Sequence, residues 1–150
     1  MKCSKLHLRE KSRNESIPYP LLLMADESID VINSYIHQCD IYLIKNNDLT
    51  IGVCAIQKVD SFTIEIKNLA ITIDYRNFGI GSWCLQKVKE IHPAKIVLVG
   101  TGDASINALR FYMKNGFKPH TIRKSFFLNN YDHPIIENGI QLKDQIILKK

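Results

Sequence analysis

The chain has 150 residues, 45% hydrophobic and 23% charged, the length and balance of a single folded domain of residues 1–150. Its formal charge of +5 comes from scattered lysines and arginines with no RNA-binding aromatic motif or zinc-finger spacing, which argues against a nucleic-acid partner and equally suits a polyanionic small molecule. Apolar runs such as 21–25 and 96–99 are too short to cross a bilayer, and the first residues open no signal-peptide pattern, so no membrane partner and a cytoplasmic location are expected.

Cys3, Cys39, Cys54 and Cys84 form no C-x-x-C pair and no Cys/His cluster, so reduced thiols and no metal site are expected. Residues 5–10 alternate at Leu6 and Leu8 as a first strand, and Pro18 and Pro20 punctuate the chain after it. Over 21–38 the apolar residues recur at helical spacing, which predicts two short helices separated near Asp26-Glu27-Ser28. Strands at 41–45 and 50–59 are predicted to form a hairpin turning at Asn46-Asn47-Asp48.

Between residues 62 and 73 the apolar positions run Phe62, Ile64, Ile66 and then Leu69, Ile71, Ile73, so the period-two pattern slips near Lys67-Asn68. A β-bulge repairs such a slip by adding one residue and bringing both apolar sets to the core; burial of both sheet faces is the alternative. Next comes Arg76-Asn77-Phe78-Gly79-Ile80-Gly81, opening a helix striped by Ile80, Cys84, Val88 and Ile91. Glycines at a helix entrance leave its unpaired N–H groups approachable by an anion, pyrophosphate above all.

A short strand at 95–100 and a helix at 104–115, closed by Gly116 and followed by Phe117, complete a β-α-β-α unit that makes the strands at 62–73 and 95–100 parallel. Two last strands are expected at 117–129 and 141–149 around the loop Tyr131-Asp132-His133-Pro134. The expected fold is a mixed α/β sheet of about seven strands with a central parallel pair and about four helices. Trp83, His92 and His120 are read as packing or surface residues, and His133 as an ordinary loop histidine.

The segment from Leu69 through Asp74, Tyr75 and Arg76 to Gly81 resembles the signature of the GCN5-related N-acetyltransferase superfamily, and the segment from Asn107 through Tyr112 to Gly116-Phe117 resembles that family's later helix. Two departures are Asn77, where glycine is common, and Ile73, where proline is frequent; Asn tolerates left-handed backbone. The resemblance implies acetyl-CoA as cosubstrate, with pyrophosphate held by amides around Gly79, Ile80, Gly81 and Ser82, helped by Arg76, Asn77 and Phe78. It also implies a pantetheine arm along Leu69, Ile71 and Ile73, with a backbone N–H near Ile71 stabilising the developing oxyanion.

By the same resemblance Glu65 is the base for an amine acceptor, Tyr112 the partner of the leaving sulfur, and Asn107 a cofactor contact. Asp26, Glu27 and Asp30 would border the acceptor. Other readings of the same residues are a solvent-facing strand glutamate paired with Lys67 or a cross-strand lysine, a core aromatic and a first-turn polar residue. A solvated turn arginine is the other reading of Arg76. An idle acyl-CoA-binding module and a dinucleotide-binding protein remain as alternative functions, the latter against Cys84 at the third glycine position. The terminal strands offer an edge for a homodimer.

Overall fold

The computed structural model describes residues 5–150, so Cys3 lies outside the described residues. The chain divides into two units, one ending at Lys95 and one running from Ile96 to Lys150. In the first, β1 (Leu6–Glu10) precedes α1 (Tyr19–Leu22) and α2 (Ile29–Tyr35), then come β2 (Cys39–Asn46), β3 (Leu49–Lys58), β4 (Thr63–Ile71) and α3 (Ile80–Ile91). The strands pair antiparallel in the order β1, β2, β3, β4.

Helix α1 begins around Pro20, whose missing N–H costs nothing in a first turn, and α2 is capped by Ser28, whose side chain accepts from the Val31 amide at 3.2 Å. The two helices are the expected pair, parted at the expected place. The β2–β3 hairpin turns through Asn47 and Asp48, with Asn47 at φ +54°.

Strand β4 carries the expected bulge. Ala55 pairs with Asn68 and Ile56 with Ile66, so Lys67 is an extra residue with no partner of its own in the register. Because alternation restarts after it, Ile64, Ile66, Leu69 and Ile71 share one face, and Glu65, Asn68 and Ala70 the other. The first face lies against α3, where Cys54, cross-strand from Leu69, neighbours Cys84. α3 buries Ile80, Cys84, Leu85 and Val88. The second face lies under α1 and α2, because Asn68 donates to the Leu22 carbonyl at 2.9 Å and to the Tyr35 hydroxyl at 3.2 Å.

Two ends of the expected strand fall outside it. Phe62 and Ile73 are each 73% exposed, Phe62 preceding β4 and Ile73 opening a 3-10 turn, Ile73–Tyr75. The turn forms because the Tyr75 and Arg76 amides bond back to the Thr72 and Ile73 carbonyls.

The second unit holds β5 (Ile96–Gly102), α4 (Ile106–Lys114), β6 (Lys118–Arg123), α5 (Phe126–Asn130), β7 (Ile136–Glu137), β8 (Ile140–Gln141) and β9 (Gln145–Lys149). β9 lies between β5 and β6, antiparallel to both, and β7–β8 is a separate hairpin. Helix α4 ends as read: Gly116 sits at φ +91°, the Gly116 amide bonds to the Met113 carbonyl, and the Phe117 amide to the Tyr112 carbonyl.

The strand expected at 117–129 is corrected by the structure. It stops at Arg123, and Ser125, at φ +55° with its amide on Asp144 Oδ1 at 2.8 Å, turns the chain into α5. This places Phe127 and Tyr131 against a small core of Ala104, Ile135 and Leu142. The last strand starts at Gln145 rather than 141, since the Lys143 and Asp144 amides are held by the Asp103 carboxylate at 3.1 and 3.2 Å.

Gly52 faces Ile71 across β3 and β4, and a Cβ there would stand 2.5 Å from the Ala70 carbonyl oxygen. Gly52→Ala is therefore expected to cost about 1–3 kcal/mol, read as a Tm lower by several degrees in thermal unfolding; an unchanged Tm would show that the strands do not meet so closely.

Candidate active site

In the first unit the expected cofactor residues lie along one continuous path of strand, turn and helix entrance. Thr72 donates its amide to the Ile51 carbonyl on β3 at 2.8 Å, so by strand alternation the backbone groups of Leu69 and Ile71 point away from β3. Arg76, exposed, donates from Nε to the Ile71 carbonyl at 2.9 Å and ties the loop back to the strand's end. Asn77 stands at φ +66° and Gly79 at φ +77°, so the asparagine takes the left-handed conformation that glycine commonly supplies.

Gly79 is the N-cap of α3. It provides no side-chain cap, the first turn has no acidic residue, and the Trp83 amide is the one that bonds back to the Gly79 carbonyl, at 3.0 Å. The amides of Ile80, Gly81 and Ser82 thus lie in the first turn, at the positive end of a 12-residue helix. Nothing lies within 4 Å of where a Gly79 Cβ would stand, and Phe78 beside it is 53% exposed. An open, uncapped helix entrance reached through two left-handed residues fits a diphosphate.

Glu65 is not solvent-facing. It is 4% exposed, and its Oε2 lies 3.3 Å from Lys67 Nζ, so the lysine pairing is real but buried. Lys67 Nζ also lies 5.4 Å from the centre of the Tyr35 ring. Tyr35 donates its hydroxyl proton to Asp26 Oδ2 at 3.2 Å while accepting from Asn68. Burial pushes the Tyr35 hydroxyl well above its usual range and the Cys39 thiol up to about 12.

Sequence reasoning missed Tyr35, Asn68 and Cys39. A signal existed for Asn68 alone, because a polar residue directly after a bulged position turns inward. Asp26 is in this cluster, through Tyr35 and through the Ser28 amide at 3.4 Å, whereas Glu27 and Asp30 are exposed.

Asn107 and Tyr112 belong to the second unit. Asn107 is exposed in the first turn of α4. Tyr112 is 9% exposed and held edge-on by Phe111, ring centres 5.0 Å apart, and by Phe117 at 5.5 Å. Trp83 lies under Lys87, His92 is half-buried with its pKa lowered by burial, and His120 is exposed. His133 pairs with Asp132 at 2.6 Å and holds that carboxyl below its usual range. Among the described residues no His, Cys, Asp and Glu cluster is arranged for a metal, and no helix is long and apolar enough to cross a membrane.

Residues 37–119 match the family described as the acetyltransferase (GNAT) domain. The chain belongs to the GNAT family. By that membership it is an acyl-CoA-dependent acetyltransferase. A GNAT acetyltransferase from Elizabethkingia anophelis with acetyl-CoA bound is 38% identical, covers 97% of both chains and superposes with a TM-score of 0.90. A Bacillus subtilis acetyltransferase in complex with CoA is 34% identical, with 97% of both chains covered and a TM-score of 0.83. The Bacillus subtilis (strain 168) protein named Uncharacterized N-acetyltransferase YvbK is 34% identical over 96% of this chain and 94% of its own. The GNAT fold here is mixed α/β, with seven strands in the main sheet as expected, two more in the separate β7–β8 hairpin, and five α-helices against about four expected, all among the described residues.

With its pKa near 12, Cys39 holds on the order of a thousandfold less thiolate at pH 8 than an ordinary cysteine, in proportion to the shift. Residue-resolved alkylation of the native enzyme should find Cys39 nearly inert at pH 8, and labelling at the rate of a free peptide thiol would contradict its burial.

Proposed function

We propose that this GNAT chain transfers an acetyl group from acetyl-CoA to a primary amine of a small molecule or peptide, by direct attack in a ternary complex. Acetyl-CoA supplies an activated thioester. The observation that supports the reading best is that one strand, β4, bears a buried carboxylate beside its bulge and then runs into the uncapped entrance of α3.

An alkylammonium with a pKa near 10.4 is mostly protonated at neutral pH, so a group must accept its proton before the nitrogen can attack. Glu65 takes that proton, directly or through an ordered water. The amides of Gly79 to Ser82 and the charge of Arg76 hold the diphosphate, with Asn77 and Phe78 shaping the loop. Leu69, Ile71 and Ile73 guide the pantetheine arm, and the Ile71 amide supplies a hydrogen bond to the oxygen on which charge develops. Tyr112, fixed by its two aromatic neighbours, serves the departing sulfur, and Asn107 adds a contact to the donor.

Free-thiol release from acetyl-CoA over a panel of amines and peptides tests the transfer. Turnover on at least one amine is expected, and tight acetyl-CoA binding with no release on any amine would instead identify an idle binding module. Gly81→Glu supplies the binding control. Glutamate is a better helix former than glycine by about 1 kcal/mol and an acidic residue suits a first turn, so its Tm should hold or rise. Its carboxylate meets the diphosphate, so acetyl-CoA binding by calorimetry should be lost; retained affinity would move the site elsewhere.

A further inference from the structure

The bulged residue has a long side chain in a fixed place. Register leaves Lys67 unpaired on β4, and its ammonium sits between the Tyr35 ring, 5.4 Å away, and Glu65 Oε2, at 3.3 Å. The ring is anchored at its hydroxyl, which accepts from Asn68, next in sequence to Lys67, and donates to Asp26 on the loop between α1 and α2. The side chains of Lys67 and Glu65 are 18% and 5% exposed, so the pair is screened far less than a surface pair.

The surrounding groups leave that ammonium as a strong influence on the carboxylate. Cys39, at the start of β2, is a neutral thiol that senses both Lys67 and Glu65, and Asp40 follows it. Tyr35 on α2 is neutral, with Asp26 beyond its hydroxyl. Gln57, cross-strand from Glu65 on β3, is uncharged and bonded to Gln38, and Tyr19 on α1 bonds to Asn33.

We infer that Lys67 is a positioning residue for acetyl transfer: clamped by the Tyr35 ring, its ammonium keeps Glu65 ionised and aimed as the proton acceptor. Lys67 and Glu65 stand two residues apart on β4, so strand alternation puts both side chains on one side at ion-pair distance. The bulge then turns Asn68 to that side as well, where it holds the Tyr35 hydroxyl. The inference rests on the reading of Glu65 as the base.

The test is the pH dependence of kcat/KM for the wild type, Lys67→Met, Lys67→Gln, Lys67→Arg and Glu65→Gln, with acetyl-CoA KM and Tm for each. Removing a cation beside a carboxylate favours its protonated, inactive form, so the acidic limb should move to higher pH by about one unit in Lys67→Met and Lys67→Gln. At neutral pH kcat should fall while acetyl-CoA KM stays within about twofold, and Lys67→Arg should restore the limb. A merely structural lysine would lower Tm and leave the limb in place, which overturns the inference. Should Glu65→Gln keep the wild-type rate, the base assignment fails and the inference with it. If Glu65→Gln is inactive while both neutral Lys67 variants keep the wild-type profile, only the inference fails.

Discussion

The structure depends on one unmatched residue. Lys67 has no counterpart on β3, and because the bulge absorbs it, β4 presents Ile64, Ile66, Leu69 and Ile71 to α3 while turning Glu65, Asn68 and Ala70 toward α1 and α2. A regular strand that kept Lys67 in the ladder would divide its apolar residues between two faces, and the side that bears Glu65 would gain Leu69 and Ile71. Packing and chemistry are therefore settled by the same local event. The apolar face packs on the helix whose entrance is the proposed anion site, and the polar face carries Glu65, the proposed base.

A buried carboxylate is costly unless it is paired and hydrogen-bonded. Here a lysine two residues along the strand pairs with it, an aromatic ring supports the lysine, and a carboxamide and an aspartate fix the ring through its hydroxyl. The same Asn68 side chain also bonds the Leu22 carbonyl at the end of α1, so the short helices and the strand are tied at the point where chemistry is proposed. Farther along, Asn77 and Gly79 take left-handed backbone so that the chain can leave a 3-10 turn and enter α3 without a side-chain cap. Those two conformations leave the first-turn amides for an anion.

Much of this was legible from local pattern. The slip at Lys67-Asn68, the left-handed tolerance of Asn77, the Asn47 turn and the Gly116-Phe117 helix end are each decided within a few residues, and each appears as read. What was not legible depends on distant partners. The segment 117–129 is expected as one strand, but the Asp144 carboxylate captures the Ser125 amide and Phe127 finds the Ala104, Ile135 and Leu142 core, which makes a helix of its second half. Tyr35 gives no sign in sequence of its bond to a residue 33 positions away. Glu65 was readable as a base by family resemblance and as a lysine partner by spacing, and the structure shows that pairing inside the protein rather than at its surface. Tyr112 packs as a core aromatic, as one reading of its helix had it, and the leaving-group role is argued from the family helix alone.

The most direct measurement is the unfolding free energy of the protein with Lys67 deleted, set beside Lys67→Ala as the reference that keeps the extra residue. If the bulge holds Lys67 outside the ladder, deleting it restores unbroken alternation with every side chain on its present face, and the deletion variant should unfold cooperatively with the slope of Lys67→Ala. Loss of cooperative unfolding in the deletion variant alone would put Lys67 inside the ladder and contradict the account.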